Sequence, residues 1–127
     1  MSHSLYEDES VLAFLDTFPV TKGHTLLVPK KHYDRFENLD DADTVKLSLT
    51  LRRLAPLIVK AVGADGFNFG LNNGHAAGQI IDHVHWHIIP RFLNDGLKSW
   101  PNRKVTDIDL SETASLISKF ISKNHIR

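Results

Sequence analysis

LNNGHAAGQIIDHVHWHIIPR, residues 71–91, is the stretch whose reading decides the fold. Three histidines stand at alternate positions in it, His83, His85 and His87, followed by Ile88 and Ile89. Along a β-strand, side chains two residues apart share one face. A strand lines up the three imidazoles on one surface and turns Val84, Trp86 and Ile88, bulky and apolar, to the other. Helical spacing scatters the histidines around the axis and leaves Trp86 without a consistent side. The spacing predicts a strand over Val84–Pro90, one face carrying histidines and the other buried.

Just upstream, Asn72-Asn73-Gly74-His75-Ala76-Ala77-Gly78-Gln79 combines two glycines with small residues, a composition that lets backbone approach a ligand closely. The amides of Asn72 and Gln79 both donate and accept hydrogen bonds. The loop lacks the Gly-Lys-Ser/Thr ending of a Walker-A motif. Taken alone it reads as a connecting turn; beside a histidine ladder it suits phosphate oxygens held next to a nucleophile. Histidines two apart on a strand are also common zinc ligands, and His24 or Asp82 could complete such a set, so the triplet alone leaves both readings open.

His83-x-His85-x-His87-Ile88-Ile89 resembles the signature of the histidine triad (HIT) family. Asn72-x-Gly74, Gly78-Gln79 and Pro90-Arg91 agree with its flanks. Ala13-Phe14-Leu15-Asp16 and Gly23-His24-x-Leu26-x-Val28-Pro29-Lys30-x-His32 resemble its nucleotide-binding half. The likeness covers roughly residues 5–100. It implies an α+β, HIT-like fold: an antiparallel sheet of about five strands with one long helix and a C-terminal helix. It also implies a homodimer, the two subunits pairing through the long helix and the adjacent strand into one continuous sheet.

The resemblance carries roles onto particular residues. His85 is the expected nucleophile, His87 a contact to phosphate oxygens, His83 a support, and His24 the family's fourth histidine. Asp16 falls where the family holds the ribose hydroxyls, a sound match of carboxylate to diol. Phe14 and Leu26 match the base pocket, although core packing explains either equally well. Asn72 matches a contact on the leaving side, and Gln79 is grouped with the substrate-binding residues. Many relatives carry a small hydroxyl residue after the Gln; Ile80 stands there, which removes a hydrogen bond to phosphate or leaving group. His32 reads as an ordinary surface residue, His75 as a solvent-facing loop residue, and His3 and His125 carry no signal.

The composition narrows the classes further. A chain of 127 residues is most simply one domain, residues 1–127, with a modest core. Lys+Arg and Asp+Glu balance at 15 each, so nothing favours nucleic acid as a partner. Cysteine is absent, which removes disulfides, thiol catalysis and cysteine-ligated zinc, including the N-terminal cysteine zinc site of some HIT proteins. No apolar run approaches the roughly 20 residues of a membrane helix, and no signal peptide is evident; no membrane association and a cytoplasmic protein are the expectations.

Along the chain, strands are predicted over Leu5–Glu9, Val11–Leu15, His24–Pro29 and Gly66–Leu71 besides the histidine strand, with Lys30–Glu37 a polar connection. Leu47, Leu51, Leu54, Ile58 and Ala61 recur at helical spacing within Asp40–Val62. Asp40, Asp41 and Asp43 suit the start of that helix and Gly63 its end, while Pro56 predicts a kink or break. Val45 and Leu49 widen the apolar surface beyond one stripe, hinting at burial against a second partner. A second helix is predicted from Asp109 or Ser111 to Lys123, with a capping box from Asp109 to Glu112 and an apolar stripe of Leu116, Ile117, Phe120 and Ile121.

The chemistry implied is hydrolysis of a purine nucleotide conjugate. His85 attacks the α-phosphorus, a nucleotidyl-histidine forms, and water releases the nucleoside monophosphate. Nucleoside phosphoramidates are the first substrate class, since the chain is short, lacks an obvious second nucleotide pocket, and carries Trp100-Pro101 as the phosphoramidase-like branch does. Dinucleoside polyphosphates are the alternative, because Pro90-Arg91 and the continuing C-terminal segment resemble that branch. No metal or cofactor is implied at the catalytic site; Mg²⁺ would enter only with a polyphosphate substrate. A zinc-binding hydrolase and a non-catalytic nucleotide-binding protein are the readings from other classes.

Overall fold

The computed structural model describes residues 3–124, which fall into two compact units dividing between Asp95 and Gly96; His125 lies outside them. The first unit is a five-stranded antiparallel sheet: β1 (Ser4–Glu7), β2 (Val11–Leu15), β3 (Thr25–Pro29), β4 (Gly66–Leu71) and β5 (Trp86–Arg91), in the order β1-β2-β3-β5-β4. One long helix, α1 (Asp41–Val62), connects β3 to β4. The fold is α+β, as the resemblance implies. Among the described residues no helix is long and apolar enough to cross a membrane.

Strand parity decides which side chains meet α1. Val11 and Ala13, Leu27, and Val84, Trp86 and Ile88 are buried and join Leu47, Leu51, Ala55 and Ile58 of the helix in one core. Fully burying Leu27, Leu47 and Ile88 contributes about 1.5–3 kcal/mol each, before the entropy of ordering them. The intervening residues face the other way, and the register sets them in a row: Phe14 opposite Leu26, and Leu26 opposite His87. That row is the floor of the site.

The histidine strand is shorter than predicted. β5 begins at Trp86, so His83 and His85 precede the ladder, although burial still alternates from His83 to Arg91. Their backbone is held instead by the loop after β3, the Val84 N–H donating to the Tyr33 carbonyl at 2.7 Å. At the other edge, β1 ends at Glu7 because Asp8 turns the chain, its carboxylate accepting from the N–H groups of Ser10 and Val11.

α1 starts and stops where the sequence signals. The Asp40 side chain accepts from the Asp43 N–H at 2.7 Å, and Gly63 closes the helix at φ 72°. Pro56 does not break it: the helix runs unbroken through 22 residues, with Ala55 and Ile58 buried beside the proline. In the second unit, α2 (Asp107–Asn124) begins earlier than predicted because the Thr106 hydroxyl, not Asp109, caps it by accepting from the Asp109 N–H. Leu116, Ile117, Phe120 and Ile121 of α2 are all exposed.

Pro56 is exposed and withholds one helix hydrogen bond. Pro56→Ala is expected to stabilise the first unit by about 1–3 kcal/mol, read as a raised thermal midpoint.

Candidate active site

The four sequence-predicted histidines converge from three segments. His24 precedes β3, His87 lies within β5, and His83 and His85 lie on the extended chain leading into it. Gly23 makes the approach of His24 possible: at φ 89°, a Cβ there would lie 3.0 Å from Val62 and 3.2 Å from Pro90. The His24 side chain is 3% exposed. Its Nδ1 accepts the Val20 N–H at 3.0 Å, so in the neutral ring the proton sits on Nε2, 2.9 Å from His87 Nδ1. His87 Nδ1 therefore accepts, and its own proton sits on Nε2.

The same reasoning fixes His85. Its Nδ1 lies 2.8 Å from the His83 carbonyl oxygen. A carbonyl only accepts, so Nδ1 carries the proton and Nε2 keeps its lone pair. The His85 and His87 rings meet at 5.1 Å between centroids, edge to face. The pair thus presents a free lone pair on one ring and an N–H on the next, the two functions that attack on phosphorus and support of its oxygens require.

A cavity of about 450 Å³ opens on this pair. Phe14, Leu26, Asp16, His83, His85 and His87 line it, so six of the predicted site residues share one wall. His3, Phe18 and Ile81, which sequence reasoning did not single out, line it as well, and no lysine or arginine does among the described residues. Phe18 follows Asp16 by two, its N–H bonded to Asp16 Oδ1 at 2.9 Å, a local Asx turn whose signal was available in the sequence.

Three predicted residues are not on that wall, the enclosed His24 among them. Asn72 is exposed beyond the end of β4. Gln79 is buried inside its loop, its Oε1 accepting the Gly74 N–H and its Nε2 donating to the carbonyls of Asp34 and Ile81. Ile80 and His75 are exposed. His32 is not the plain surface residue expected: its Nδ1 lies 3.0 Å from His83 Nδ1.

Asp16, His24 and His87 place three ligand atoms within 4.8 Å of one another, a spacing a small cation could bridge. The tautomers oppose it. A metal at His24 Nε2 displaces the proton placed there by the Val20 bond, leaving either an imidazolate or a stranded backbone N–H.

Burial holds the His24 pKa below the ordinary 6.5, against the pull of Asp16. His87 is lowered first by burial, then by repulsion from His85 and His24, with Asp16 again opposing. Unfolded, both rings take up a proton as pH falls through about 6.5; folded, they resist it. Their contribution to stability is complete above that pH and is lost as pH falls toward the depressed folded values. Urea unfolding at about pH 7.5 and about pH 5.5 is expected to give lower stability at the acid pH, a dependence that His87→Gln flattens.

A family model described as the HIT domain matches residues 1–94, nearly the whole first unit. An uncharacterised HIT-like protein of Methanocaldococcus jannaschii is 46% identical over 108 residues, 85% of this chain and 82% of that protein. The adenylylsulfatase HINT3 of Arabidopsis thaliana is 38% identical over 94% of this chain and 61% of its own length. The adenosine 5'-monophosphoramidase hnt1 of Schizosaccharomyces pombe is 34% identical, covering 92% and 86%. Among solved structures, a protein of Streptococcus mutans superposes with a TM-score of 0.86 at 38% identity, over 94% of this chain and 76% of that one.

Proposed function

Because the chain belongs to the HIT domain family, we propose that it hydrolyses purine nucleotide conjugates at the α-phosphate, with nucleoside phosphoramidates as the first substrate class. One observation carries the reading: the His83 carbonyl holds the proton on His85 Nδ1 and leaves Nε2 as a nucleophile beside a cavity of nucleotide size. The names of the S. pombe and A. thaliana relatives, one a phosphoramidase and one an adenylylsulfatase, support cleavage on the leaving side of an adenylyl group.

In the proposed reaction the purine lies against Phe14 and Leu26, and Asp16 receives the ribose hydroxyls. His85 Nε2 attacks the α-phosphorus, forming a phosphorus–nitrogen bond as the bond to the leaving amine breaks. The His87 Nε2–H donates to a phosphoryl oxygen, and the amine leaves with a proton from solvent. Water then cleaves the nucleotidyl-histidine, returning the lone pair to His85 and releasing the nucleoside monophosphate. Asn72 is assigned to the leaving side, while Gln79 acts by holding its loop. No metal enters these steps; Mg²⁺ would matter only with a polyphosphate. His85→Asn is expected to lower turnover of an adenosine phosphoramidate by at least about a thousandfold while nucleotide binding persists. Wild-type turnover is expected to survive chelation. Diadenosine tri- and tetraphosphate provide the competing substrates, and a preference for them of about a hundredfold in kcat/KM, roughly 2.7 kcal/mol, would reverse the choice.

We also propose a homodimer. β4 is a sheet edge without charge or proline, Phe67 and Phe69 are exposed along it, and Val45 and Leu57 are exposed on α1. Such an edge is a template for a second strand. Sedimentation at micromolar concentration is expected to give twice the chain mass, and a monomer would count against the pairing.

A further inference from the structure

His83 and His85 must hold their places without a strand ladder, since β5 begins only at Trp86. The support comes from the chain just after β3. The Val84 N–H donates to the Tyr33 carbonyl at 2.7 Å. That N–H and the His83 carbonyl belong to one planar peptide unit, and the carbonyl is the group that fixes the proton of His85. Any rotation of this unit releases His85 Nδ1 and lets its proton move to Nε2.

A second contact guards the same unit. His83 Nε2 lies 3.2 Å from the Pro29 carbonyl, which only accepts, so that nitrogen carries the proton. The neutral His83 ring then has its lone pair on Nδ1. His32 Nδ1, 3.0 Å away with ring centroids 5.0 Å apart, must donate to it. The His83 ring is clasped at both nitrogens, which fixes the Cα from which this peptide unit departs.

We propose that His32 is a positioning residue for the nucleophile: by donating to His83 Nδ1 it holds the His83–Val84 peptide in the orientation that keeps the His85 Nε2 lone pair free. For its effect on turnover the inference rests on the hydrolase reading above; for its effect on ring geometry it stands alone. His32 is exposed and does not line the cavity, so its influence passes through His83.

Two variants test it. His32→Phe keeps a ring and removes the donor; His32→Asn restores an N–H near the position of Nδ1. His32→Phe is expected to lower kcat about tenfold or more with KM changed by no more than about twofold, and His32→Asn to recover most of the loss. Long-range proton–nitrogen NMR of the imidazoles reads the tautomers directly. The wild type is expected to show His83 with its proton on Nε2 and His85 with its proton on Nδ1, and His32→Phe to mix the two forms of His85. An unchanged kcat with unchanged tautomers in His32→Phe would overturn the proposal, as would His32→Asn behaving like His32→Phe. If the wild-type protein hydrolyses no phosphoramidate, the hydrolase reading fails, and the ring spectra still decide the role of His32. Should His32→Phe not fold, His32→Ala provides the same comparison.

Discussion

One hydrogen bond governs what the site can do: the Nδ1–H of His85 on the carbonyl of His83, 2.8 Å long. An imidazole has two nitrogens, and a neutral ring offers a lone pair at only one of them. The backbone chooses which. A second choice, made by the Val20 N–H on His24, passes through the 2.9 Å contact to His87 and puts its proton on the outer nitrogen. Two main-chain groups therefore set the donor and acceptor roles of adjacent rings. Neither role depends on a charge.

The neutrality of these rings follows from where the fold puts them. His24 is almost wholly enclosed, and burial disfavours its cation more than the neighbouring Asp16 favours it. His87 is half-buried, with a second and third imidazole beside it. Charging any neighbouring imidazole opposes adding a second proton to His87. The burial and crowding that lower these two pKa values are what keep the rings of His24 and His87 uncharged.

Much of this was legible in the sequence, because strand parity is a local property. The alternation of His83, His85 and His87 with Val84, Trp86 and Ile88 predicts a buried face and a face of imidazoles; the apolar three are buried and the three imidazoles line the cavity. The same holds for Phe14, Leu26 and the two ends of α1. What escaped depends on the path of the chain between elements. The link from Lys30 to Glu37 looks like a polar connection, yet it supplies the Tyr33 carbonyl and the His32 ring that brace the histidine segment and the Asp34 carbonyl that holds Gln79. Gln79 shows the same limit: an amide in a glycine-rich loop reads as ligand-facing, whereas three nearby backbone groups engage it. Pro56 predicts an interruption from local rules alone, and the tertiary core under Ala55 and Ile58 carries the helix across it.

The cavity wall, built among the described residues from aromatic, aliphatic, imidazole and threonine side chains with one carboxylate and no lysine or arginine, has a kinetic consequence. A cleft lined by cations draws anions from beyond a Debye length, and its association rates fall steeply with added salt. This wall has no such field, and Asp16 opposes one. An anionic ligand entering here meets no lysine or arginine side chain on the described wall to steer it, so its encounter rate is expected to depend weakly on ionic strength. Each extra unmatched phosphate on a ligand then adds repulsion without adding attraction.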